Sequence, residues 1–273
     1  MIEFRDVDFS IEGNSILHGV SFRVPRGETT VILGPSGSGK STILRLLLGL
    51  YQPDRGAILF DGEDLTQVSA ARLREIRARM GMVFQQGALF DSMTVGENVG
   101  YALLEAHGDE ERGVEATVSR FLDLVGLEPH LIDRMPDQLS GGMQRRVAIA
   151  RALAARDPEV LLYDEPTTGL DPQSAERITD LIVHLRDTLG KTAIMVTHDI
   201  ADAFKVADSV TILEKGGVVF DGTSAELARA RSPFINEFLA PFRKAIAAAQ
   251  RQFEAGPGTP AAPTATPPEG GRA

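Results

Sequence analysis

The segment "GPSGSGKST" (Gly34 to Thr42) has residue types and spacing that suit phosphate binding, and it matches the pattern G-x-x-x-x-G-K-S/T in full. Its glycines allow the backbone to curl so that successive N–H groups point at phosphate oxygens. Lys40 adds a positive charge, and the Ser41 hydroxyl can ligate Mg²⁺. A helix that begins near Gly39 would add its N-terminal dipole. The predicted nucleotide-binding residues are Gly34, Ser36, Gly37, Ser38, Gly39, Lys40, Ser41 and Thr42.

Two carboxylates end the almost continuous apolar run "PEVLLYDEP", which is typical of a strand covered on both faces. Asp164 at the strand end can hold Mg²⁺ through its water, and Glu165 can polarise an attacking water molecule. A positioned general base contributes roughly 10²- to 10⁴-fold to a rate. The alternative is a pair of surface carboxylates, but the phosphate loop upstream favours the catalytic interpretation.

His198, in "VTHD", follows a second buried strand. The ends of neighbouring parallel strands converge on one edge of a sheet, where ligands bind in such folds. A lone histidine at a strand end is as often structural as functional. Because the sequence also has a phosphate loop and a carboxylate pair at the ends of buried strands, we expect His198 to lie beside Glu165 and the phosphate loop.

A second anion site is indicated by "LSGGMQRR" (Leu139 to Arg146), where Ser140, Gly141 and Gly142 open a helix. N–H groups and a hydroxyl at a helix start can bind an anion. The alternative is a simple helix cap, because serine before an apolar helix is common. Since the phosphates already have a binding loop, this segment is interpreted as serving the nucleotide of another copy of the chain.

The elements that must position these residues alternate between strand and helix. The β-branched run "TTVILG" precedes the phosphate loop, and "STILRLLLGL" follows it as a helix. Such alternation predicts an α/β fold with a mainly parallel sheet. Asp61-Gly62 predicts a tight turn, and Gly216-Gly217 predicts the turn of a hairpin. The stretch from about 87 to 155 is mostly helical by pattern and predicts a second lobe inserted into the sheet domain.

The last part of the chain changes character. From residue 232 to 253, apolar residues keep a helical spacing, and Pro241 is expected to break or kink that helix near Ala240. Beyond Ala255 the sequence is rich in Pro, Gly and Ala, which predicts disorder. The predicted domains are a sheet domain over 1–230, a helical extension over 231–253 and a disordered tail over 254–273.

Composition excludes several classes of protein. The chain of 273 residues is 43% hydrophobic and 24% charged, which suits a globular protein with a full core. A net charge of −10 argues against a nucleic-acid partner. The chain has no cysteine, which excludes disulfides and thiolate sites. The N-terminus shows no signal peptide, and no apolar run approaches the roughly 18 residues of a membrane span, so we expect a cytosolic or peripheral protein.

In this order, the phosphate loop, "FQQ", "LSGGM", "LLYDEP", "GLD" and "VTHD" resemble an ABC-type ATPase cassette over roughly residues 2 to 230. The resemblance implies the P-loop NTPase fold of that family: α/β, with a mainly parallel core sheet, antiparallel β elements and an inserted α-helical subdomain. It also implies ATP and Mg²⁺ as cofactors. Two such cassettes close head to tail on two ATPs and open after hydrolysis.

The resemblance implies a role for each site residue. Lys40, Ser41 and Thr42 would bind phosphate and metal, while Gln85 would contact Mg²⁺ and the catalytic water. Asp164 would support the metal. The residues implied to act in catalysis are Glu165 as the base and His198 as the holder of the γ-phosphate; those implied to act on the partner's nucleotide in trans are Ser140, Gly141 and Gly142, with Asp171 of "GLD" communicating across the dimer.

The stretch "QQGALFDSMTVGENV" (Gln85 to Val99) has an apolar patch without a regular period. In ABC transporters this segment lines a groove that receives a coupling helix, which implies that Leu89, Phe90 and Met93 contact an integral membrane permease. The alternative is ordinary core packing between lobes.

The particular residues of these motifs resemble one subgroup of the ABC family. The stretch "GALFDSMTVGENV" lacks the Pro-His pair of many amino-acid importers. Ile11 replaces the usual adenine-stacking aromatic residue, and the signature carries Met143 where Gln is common. These features, with "ILFDGEDL", resemble the Mla-type ATPases, which move phospholipid between bacterial membranes.

This resemblance implies a set of partners at the cytoplasmic face of the bacterial inner membrane, where the chain would be peripheral. They are a second copy of the chain, a permease, a small regulatory subunit and a periplasmic lipid-binding (MCE-type) protein. The alternative is the ATPase subunit of an importer for amino acids or another small solute. A DNA-repair relative is disfavoured, because the chain between phosphate loop and signature is too short for a long coiled coil.

Overall fold

The computed structural model describes residues 1–107, 111–155 and 157–254. The chain forms two compact units, Met1–Arg229 and a second unit that begins at Ala230. The strands of the first unit are β1 (Ile2–Ile11), β2 (Asn14–Val24), β3 (Thr29–Leu33), β4 (Arg55–Phe60), β5 (Glu63–Asp64), β6 (Met80–Val83), β7 (Val160–Asp164), β8 (Thr192–Thr197), β9 (Ser209–Glu214) and β10 (Gly217–Thr223). Its α-helices are α1 (Lys40–Leu47), α2 (Ala70–Arg77), α3 (Val95–His107), α4 (Glu111–Leu124), α5 (Gly141–Ala154), α6 (Pro172–Leu189), α7 (Ile200–Val206) and α8 (Ser224–Arg229).

Two sheets build the first unit. A four-stranded antiparallel sheet has the order β2-β1-β4-β5. A six-stranded sheet has the order β10-β9-β3-β8-β7-β6, and all its pairs are parallel except β9 with β10. Every residue of β3 and β8 is buried, as expected of parallel strands covered on both faces. The predicted mainly parallel sheet with antiparallel elements is confirmed.

One apolar core joins the two sheets. Phe4 and Phe60 of the antiparallel sheet belong to the same buried cluster as Leu44 of α1 and Val196 of β8. The apolar face of α1, the helix that follows the phosphate loop, is therefore anchored in the core. This fixes the end of the loop, where α1 begins.

In the described part of the region from 87 to 155, the α-helices α3, α4 and α5 pack against one another, and α5 also contacts β6 and α6. Residues 84–94, before α3, are irregular, in agreement with the absence of a period in that stretch. Asn98 explains how this irregular segment holds its shape. Its buried side-chain amide donates to the carbonyls of Phe90, Met93 and Thr94 at 3.1, 3.1 and 3.0 Å, and its Oδ1 accepts from the Phe90 N–H at 2.8 Å.

The turn between β9 and β10 differs by one residue from the prediction. It lies at Lys215 and Gly216, whose φ angles are 46° and 83°, whereas Gly217 already belongs to β10. A two-residue hairpin turn of this type needs positive φ at both central positions. The two adjacent glycines look equivalent in the sequence, and the strand register decides between them. Asp61 and Gly62, with φ of 49° and 85°, form the predicted turn between β4 and β5.

In the second unit, α9 extends over Pro233–Glu254. Of the predicted break or kink near Ala240, the break is not found, because α9 continues through Pro241; a kink there stays a prediction. Proline lacks a backbone N–H, so one hydrogen bond of the helix is lost at Pro241. The residues of the neighbouring turns keep their N–H donors, which allows the helix to continue. The Ser232 hydroxyl caps the helix start by accepting from the Ile235 N–H at 3.1 Å. The predicted disordered tail lies outside the described residues from 255 onward. Across the described ranges, no helix combines the length and apolar character that crossing a membrane requires.

Candidate functional site

The phosphate loop connects β3 to α1, and close backbone packing explains two of its glycines. A Cβ at Gly34 would lie 2.5 Å from the Leu213 carbonyl oxygen and 2.6 Å from the Ser38 hydroxyl. Gly39 has φ of 100°, and a Cβ there would lie 2.6 Å from the Leu17 side chain. Both positions therefore exclude larger residues. The Ser38 side chain is 3% exposed and its hydroxyl has no hydrogen-bond partner among the described residues.

Lys40 is the buried cation of the site, with 6% of its surface exposed. Its Nζ donates to the carbonyls of Gly34 at 2.8 Å and Pro35 at 3.1 Å, and it lies 3.7 Å from Glu165 Oε1. Burial lowers the pKa of Lys40, while the carboxylates of Glu165 and Asp164 act against that shift. The ammonium group is thus held in the mouth of the loop by weak carbonyl acceptors that phosphate oxygens can replace.

Ser41 and Asp164 form a pair of oxygen ligands. The Ser41 hydroxyl donates to Asp164 Oδ1 at 2.8 Å. Burial is the main cause that raises the pKa of Asp164. A hydroxyl and a carboxylate are ligands that Mg²⁺ accepts together with phosphate oxygens and water. Within the described ranges, no cluster of three or more His, Asp or Glu side chains could hold a metal ion by itself.

Glu165 follows β7 and is 9% exposed, with φ of 49°. Its N–H donates to the Val196 carbonyl at 2.9 Å, which ties it to the neighbouring strand β8. Its Oε2 accepts from the Thr168 hydroxyl at 2.7 Å and lies 2.7 Å from His198 Nδ1. The parallel strands β7 and β8 end side by side, which brings the carboxylate and the imidazole together as the sequence predicts.

These residues share one pocket of about 510 Å³. Gln85 reaches it from the turn after β6. The predicted residues Gly34, Ser38 and Asp164 are not among the lining residues, but Gly34 and Asp164 accept hydrogen bonds from the lining residues Lys40 and Ser41. The lining residues are Ile16, Ser36, Gly37, Gly39, Lys40, Ser41, Thr42, Gln85, Glu165, Thr168 and His198.

Two lining residues, Ile16 and Thr168, were not predicted. Ile16 lies on β2 and lines the pocket. Ile11, at the position of the usual adenine-stacking aromatic residue, does not line it and is 38% exposed on β1. Thr168 follows "DEPT", three residues after Glu165. That spacing in a tight turn, which brings the two residues together, was the one sequence signal that could have identified it. An apolar residue on a strand gives no signal of this kind.

The signature residues lie together, apart from the pocket lining. Ser140 caps α5, and its hydroxyl accepts from the Met143 N–H at 3.3 Å. A Cβ at Gly142 would lie 2.8 Å from the Ser174 hydroxyl of α6. Asp171 caps α6 by accepting from the Ser174 N–H at 3.0 Å. Ser140, Gly141, Gly142 and Asp171 thus lie together around the starts of two helices. Ser140, Gly141 and Asp171 are exposed there, and Gly142 is buried against α6; the group is called the signature surface below.

The segment with Leu89, Phe90 and Met93 is partly exposed: Phe90 has 42% of its surface exposed, and Leu89 and Met93 are half-buried. The Phe90 ring packs on Tyr101, with ring centroids 5.0 Å apart. The Arg151 guanidinium lies 5.6 Å from the Phe90 ring centroid.

The chain belongs to the ABC transporter family, whose model matches residues 17–168. It is an ATP-binding cassette of the ABC ATPase class, as the solved structures below also indicate.

Among curated proteins, it is 41% identical to the intermembrane phospholipid transport system ATP-binding protein MlaF of Escherichia coli K12, over 88% of each chain. Its identity to the MlaF of Haemophilus influenzae is 39%, over 88% of this chain and 90% of that protein. It is also 42% identical to the methionine import ATP-binding protein MetN of Caulobacter vibrioides, over 83% of this chain and 68% of that protein.

Solved cassettes have the same fold. A dimeric cassette in a post-hydrolysis state, bound to ADP and Pi, aligns with a TM-score of 0.73 and 33% identity, over 82% of this chain and 98% of that chain. A cassette from Clostridium perfringens that is part of an ABC transporter complex aligns with a TM-score of 0.78 and 31% identity, over 93% and 98% of the two chains. The predicted fold class is therefore confirmed.

Proposed function

We propose that this ATPase powers the transport of phospholipid between bacterial membranes. The observation that carries the proposal is the length of the similarity. It covers 239 residues, 88% of both this chain and the E. coli phospholipid-transport ATPase, and thus extends well beyond the C-terminal end of the family model at residue 168. The methionine-import ATPase is matched over only 68% of its length.

In the proposed reaction, Glu165 is the general base that takes a proton from the attacking water. The contacts of its Oε2 with Thr168 and His198 leave Oε1 directed toward Lys40, at 3.7 Å. Lys40 and the N–H groups of the loop neutralise the phosphates, and His198 holds the γ-phosphate. The same burial that lowers the pKa of Lys40 strengthens its attraction for phosphate oxygens, because little water screens them.

Mg²⁺ fits the oxygen ligands beside the loop. Ser41 would ligate the ion, Asp164 would support it through water, and Gln85 would reach it from the turn after β6. When bound, the metal neutralises charge on the phosphates. The raised pKa of Asp164 is consistent with a carboxylate that benefits from a nearby cation.

The surface of Ser140, Gly141, Gly142 and Asp171 is proposed to complete the site of a second copy. Two helix starts and a serine hydroxyl offer donors to an anion. None of the four lines the pocket of its own chain. A head-to-tail dimer would bring each such surface to the partner's nucleotide.

The segment of Leu89, Phe90 and Met93 is proposed to receive a helix of an integral membrane permease. Phe90 presents apolar surface, and Asn98 fixes the backbone that carries it. The chain would then be peripheral at the cytoplasmic face of the inner membrane. A small regulatory subunit and a periplasmic MCE-type lipid-binding protein complete the proposed assembly.

Import of an amino acid or another small solute is the second candidate. The 42% identity to the methionine-import ATPase, similar to that with the phospholipid-transport ATPase, favours it. The ATPase reaction would be the same in both cases.

The deciding experiment is purification of the tagged chain from native membranes in mild detergent, with mass spectrometry of proteins and lipids. We expect a permease, a lipid-binding partner and bound phospholipid. A permease with a soluble amino-acid-binding protein would replace the substrate by a small solute. Recovery of no membrane protein would refute the transport proposal.

The permease surface has its own test. Changing Phe90 and Met93 to Asp should abolish co-purification of the permease, because two charges would be placed in an apolar contact. Val219→Asp is the control: Val219 is 40% exposed on β10, at the opposite edge of the sheet from β6. Undiminished co-purification of the double variant would contradict the surface assignment.

A further inference from the structure

The turn that carries Gln85 is closed by one carbonyl group. The Phe84 carbonyl accepts from the Gly87 N–H at 2.8 Å, which places Gln85 and Gln86 at the two central positions of a tight turn. The same carbonyl accepts from Arg145 Nη1 at 2.8 Å. Arg145 therefore holds the atom on which the geometry of this turn depends.

The other end of the guanidinium reaches the segment of Glu165. Arg145 Nη2 donates to the Thr168 carbonyl at 3.5 Å. Thr168 in turn donates its hydroxyl to Glu165 Oε2 at 2.7 Å, and its N–H to the Glu165 carbonyl at 3.3 Å. One side chain thus spans the turn of Gln85 and the turn of Glu165.

The position of Arg145 is costly for a cation. It is 6% exposed, its Nε has no hydrogen-bond partner among the described residues, and burial lowers its pKa. No described carboxylate lies within ion-pair distance of it, so two carbonyls carry the charge. A buried cation without a counter-ion does not favour stability over an apolar side chain of similar size. Its fork of donors, however, can fix two backbone segments at once.

We propose that Arg145 is a positioning residue for ATP hydrolysis, which sets the turn of Gln85 relative to the turn of Glu165. The proposal rests on the roles given above to Gln85 and Glu165. Arg145 also lies on the first turns of α5, the helix that Ser140 caps. A movement of α5 when Ser140 meets a nucleotide would therefore displace both turns together.

Arg146 provides a matched control on the same helix. Its Nη1 donates to the Gly126 carbonyl at 2.6 Å, and burial also lowers its pKa. Gly126 follows α4 in the helical region, and Arg146 does not touch the turns of Gln85 or Glu165. Loss of Arg146 therefore tests the cost of removing a desolvated arginine from α5 without disturbing the two turns.

The experiment is a double-mutant cycle in the full chain with Arg145→Met and Gln85→Ala, measuring kcat, KM, nucleotide affinity and Tm. We expect Arg145→Met to lower kcat about tenfold or more, with affinity for ATP changed less than twofold, because the phosphate loop is untouched. Arg145→Lys should give an intermediate kcat, since an ammonium group cannot span both carbonyls. Arg146→Met should retain kcat within about twofold.

The cycle separates the two levels of the argument. If Arg145 acts through Gln85, Gln85→Ala should lower the rate of the wild-type chain but have little further effect in the Arg145→Met chain. An unchanged effect of Gln85→Ala in both backgrounds would refute the role of Arg145 and leave that of Gln85 intact. No effect of Gln85→Ala in the wild-type chain would refute both. Should Arg145→Met fail to fold, a wild-type kcat of Arg145→Lys would overturn the proposal.

Discussion

The pocket of the phosphate loop and the signature surface differ in the contacts that their functional side chains make within one chain. In the pocket, Lys40 is held by two carbonyls beside Glu165, and Glu165 contacts Thr168 and His198. On the signature surface, the hydrogen bonds that Ser140 and Asp171 make within the described part of the chain cap their own helices.

The pocket is built on the ends of β3, β7 and β8, whereas the signature surface consists of helix starts. Strand ends in a packed sheet place charges at fixed distances, which a base and a cation require. Helix starts present donors outward, toward a ligand that arrives with another molecule. This difference is what the proposal of a head-to-tail dimer requires, in which the catalytic groups belong to one chain and a second copy completes the site.

Loss of the base is the change with the largest expected effect. Glu165→Gln should lower hydrolysis roughly 10²- to 10⁴-fold, because a carboxamide cannot take the proton from water. ATP binding should persist, and an ATP-bound dimer should accumulate in size-exclusion chromatography. The matched control is Glu159→Gln, the same substitution before the opposite end of β7, where Glu159 pairs with Arg79 and Arg26. A wild-type rate for Glu165→Gln would remove Glu165 from this role.

A mixing experiment tests whether the signature surface acts in trans. Lys40→Ala and Ser140→Asp should each be inactive alone, since each disables both sites of a symmetric dimer. In a mixed dimer, one site combines the intact loop of one chain with the intact signature of the other. Random pairing should then restore roughly a quarter of the wild-type rate. No recovery, although mixed dimers form, would show that Ser140 acts on its own chain's nucleotide.

A smaller effect is expected from packing at the signature. Gly142→Ala would place a Cβ 2.8 Å from the Ser174 hydroxyl and 2.9 Å from its Cβ, whereas at Gly141 the nearest atom would be Leu170 Cδ2 at 3.3 Å. We expect Gly142→Ala to lower the free energy of unfolding by about 1–3 kcal/mol, as overpacking does, and Gly141→Ala by less. Denaturant unfolding measures both. Equal losses would contradict the close packing of α5 on α6 at Gly142.

The smallest of the four expected effects is on the pH dependence of Tm: neutralising a carboxylate should raise the Tm in the pocket and lower it on the signature surface. Burial raises the pKa of Asp164 from 3.8, so ionisation of the carboxylate costs stability: the cost grows as the pH rises above 3.8 and is complete above the folded pKa. Asp164→Asn should therefore raise the Tm of the ligand-free chain at pH 7 by about 2 °C, and the gain should shrink as the pH falls toward 3.8.

Asp171 is the matched opposite. The Ser174 hydrogen bonds lower the pKa of Asp171, so its ionised form contributes stability above pH 3.8 that is lost as the pH falls through the folded pKa. Asp171→Asn should lower the Tm at pH 7, and this loss should also fade in acid. Thermal unfolding at a series of pH values measures both variants. Shifts of the same sign would contradict the contrast between buried and capping carboxylates.

The sequence predicts those parts of the site that depend on local patterns. The phosphate loop is a continuous motif, and Asp164, Glu165 and His198 stand at the ends of runs that only buried strands have. The ends of neighbouring parallel strands converge, so their proximity follows if the strands are neighbours, as β3, β8 and β7 are. The caps at Ser140 and Asp171 are equally local.

What the sequence does not predict depends on contacts between distant segments. Ile16 enters the pocket because β2 passes beside the phosphate loop, and nothing in its own strand indicates this. Arg145 follows a glycine pair within a known motif, and its reach to Phe84 and Thr168 depends on how α5 crosses the sheet edge. At Pro241 the helix does not end, because the local penalty of the proline is outweighed by the rest of α9.

The position of β3 in the sheet has a consequence for the synthesis of the chain. Val31 pairs with Met195 of β8 on one side and with Val210 of β9 on the other. During translation, the phosphate loop leaves the ribosome long before either neighbour exists, and pairing across such sequence distances is slow. A nascent chain that ends before Thr192 holds every residue of the loop but lacks both strands beside β3, so nucleotide affinity is expected to arise late and in one step.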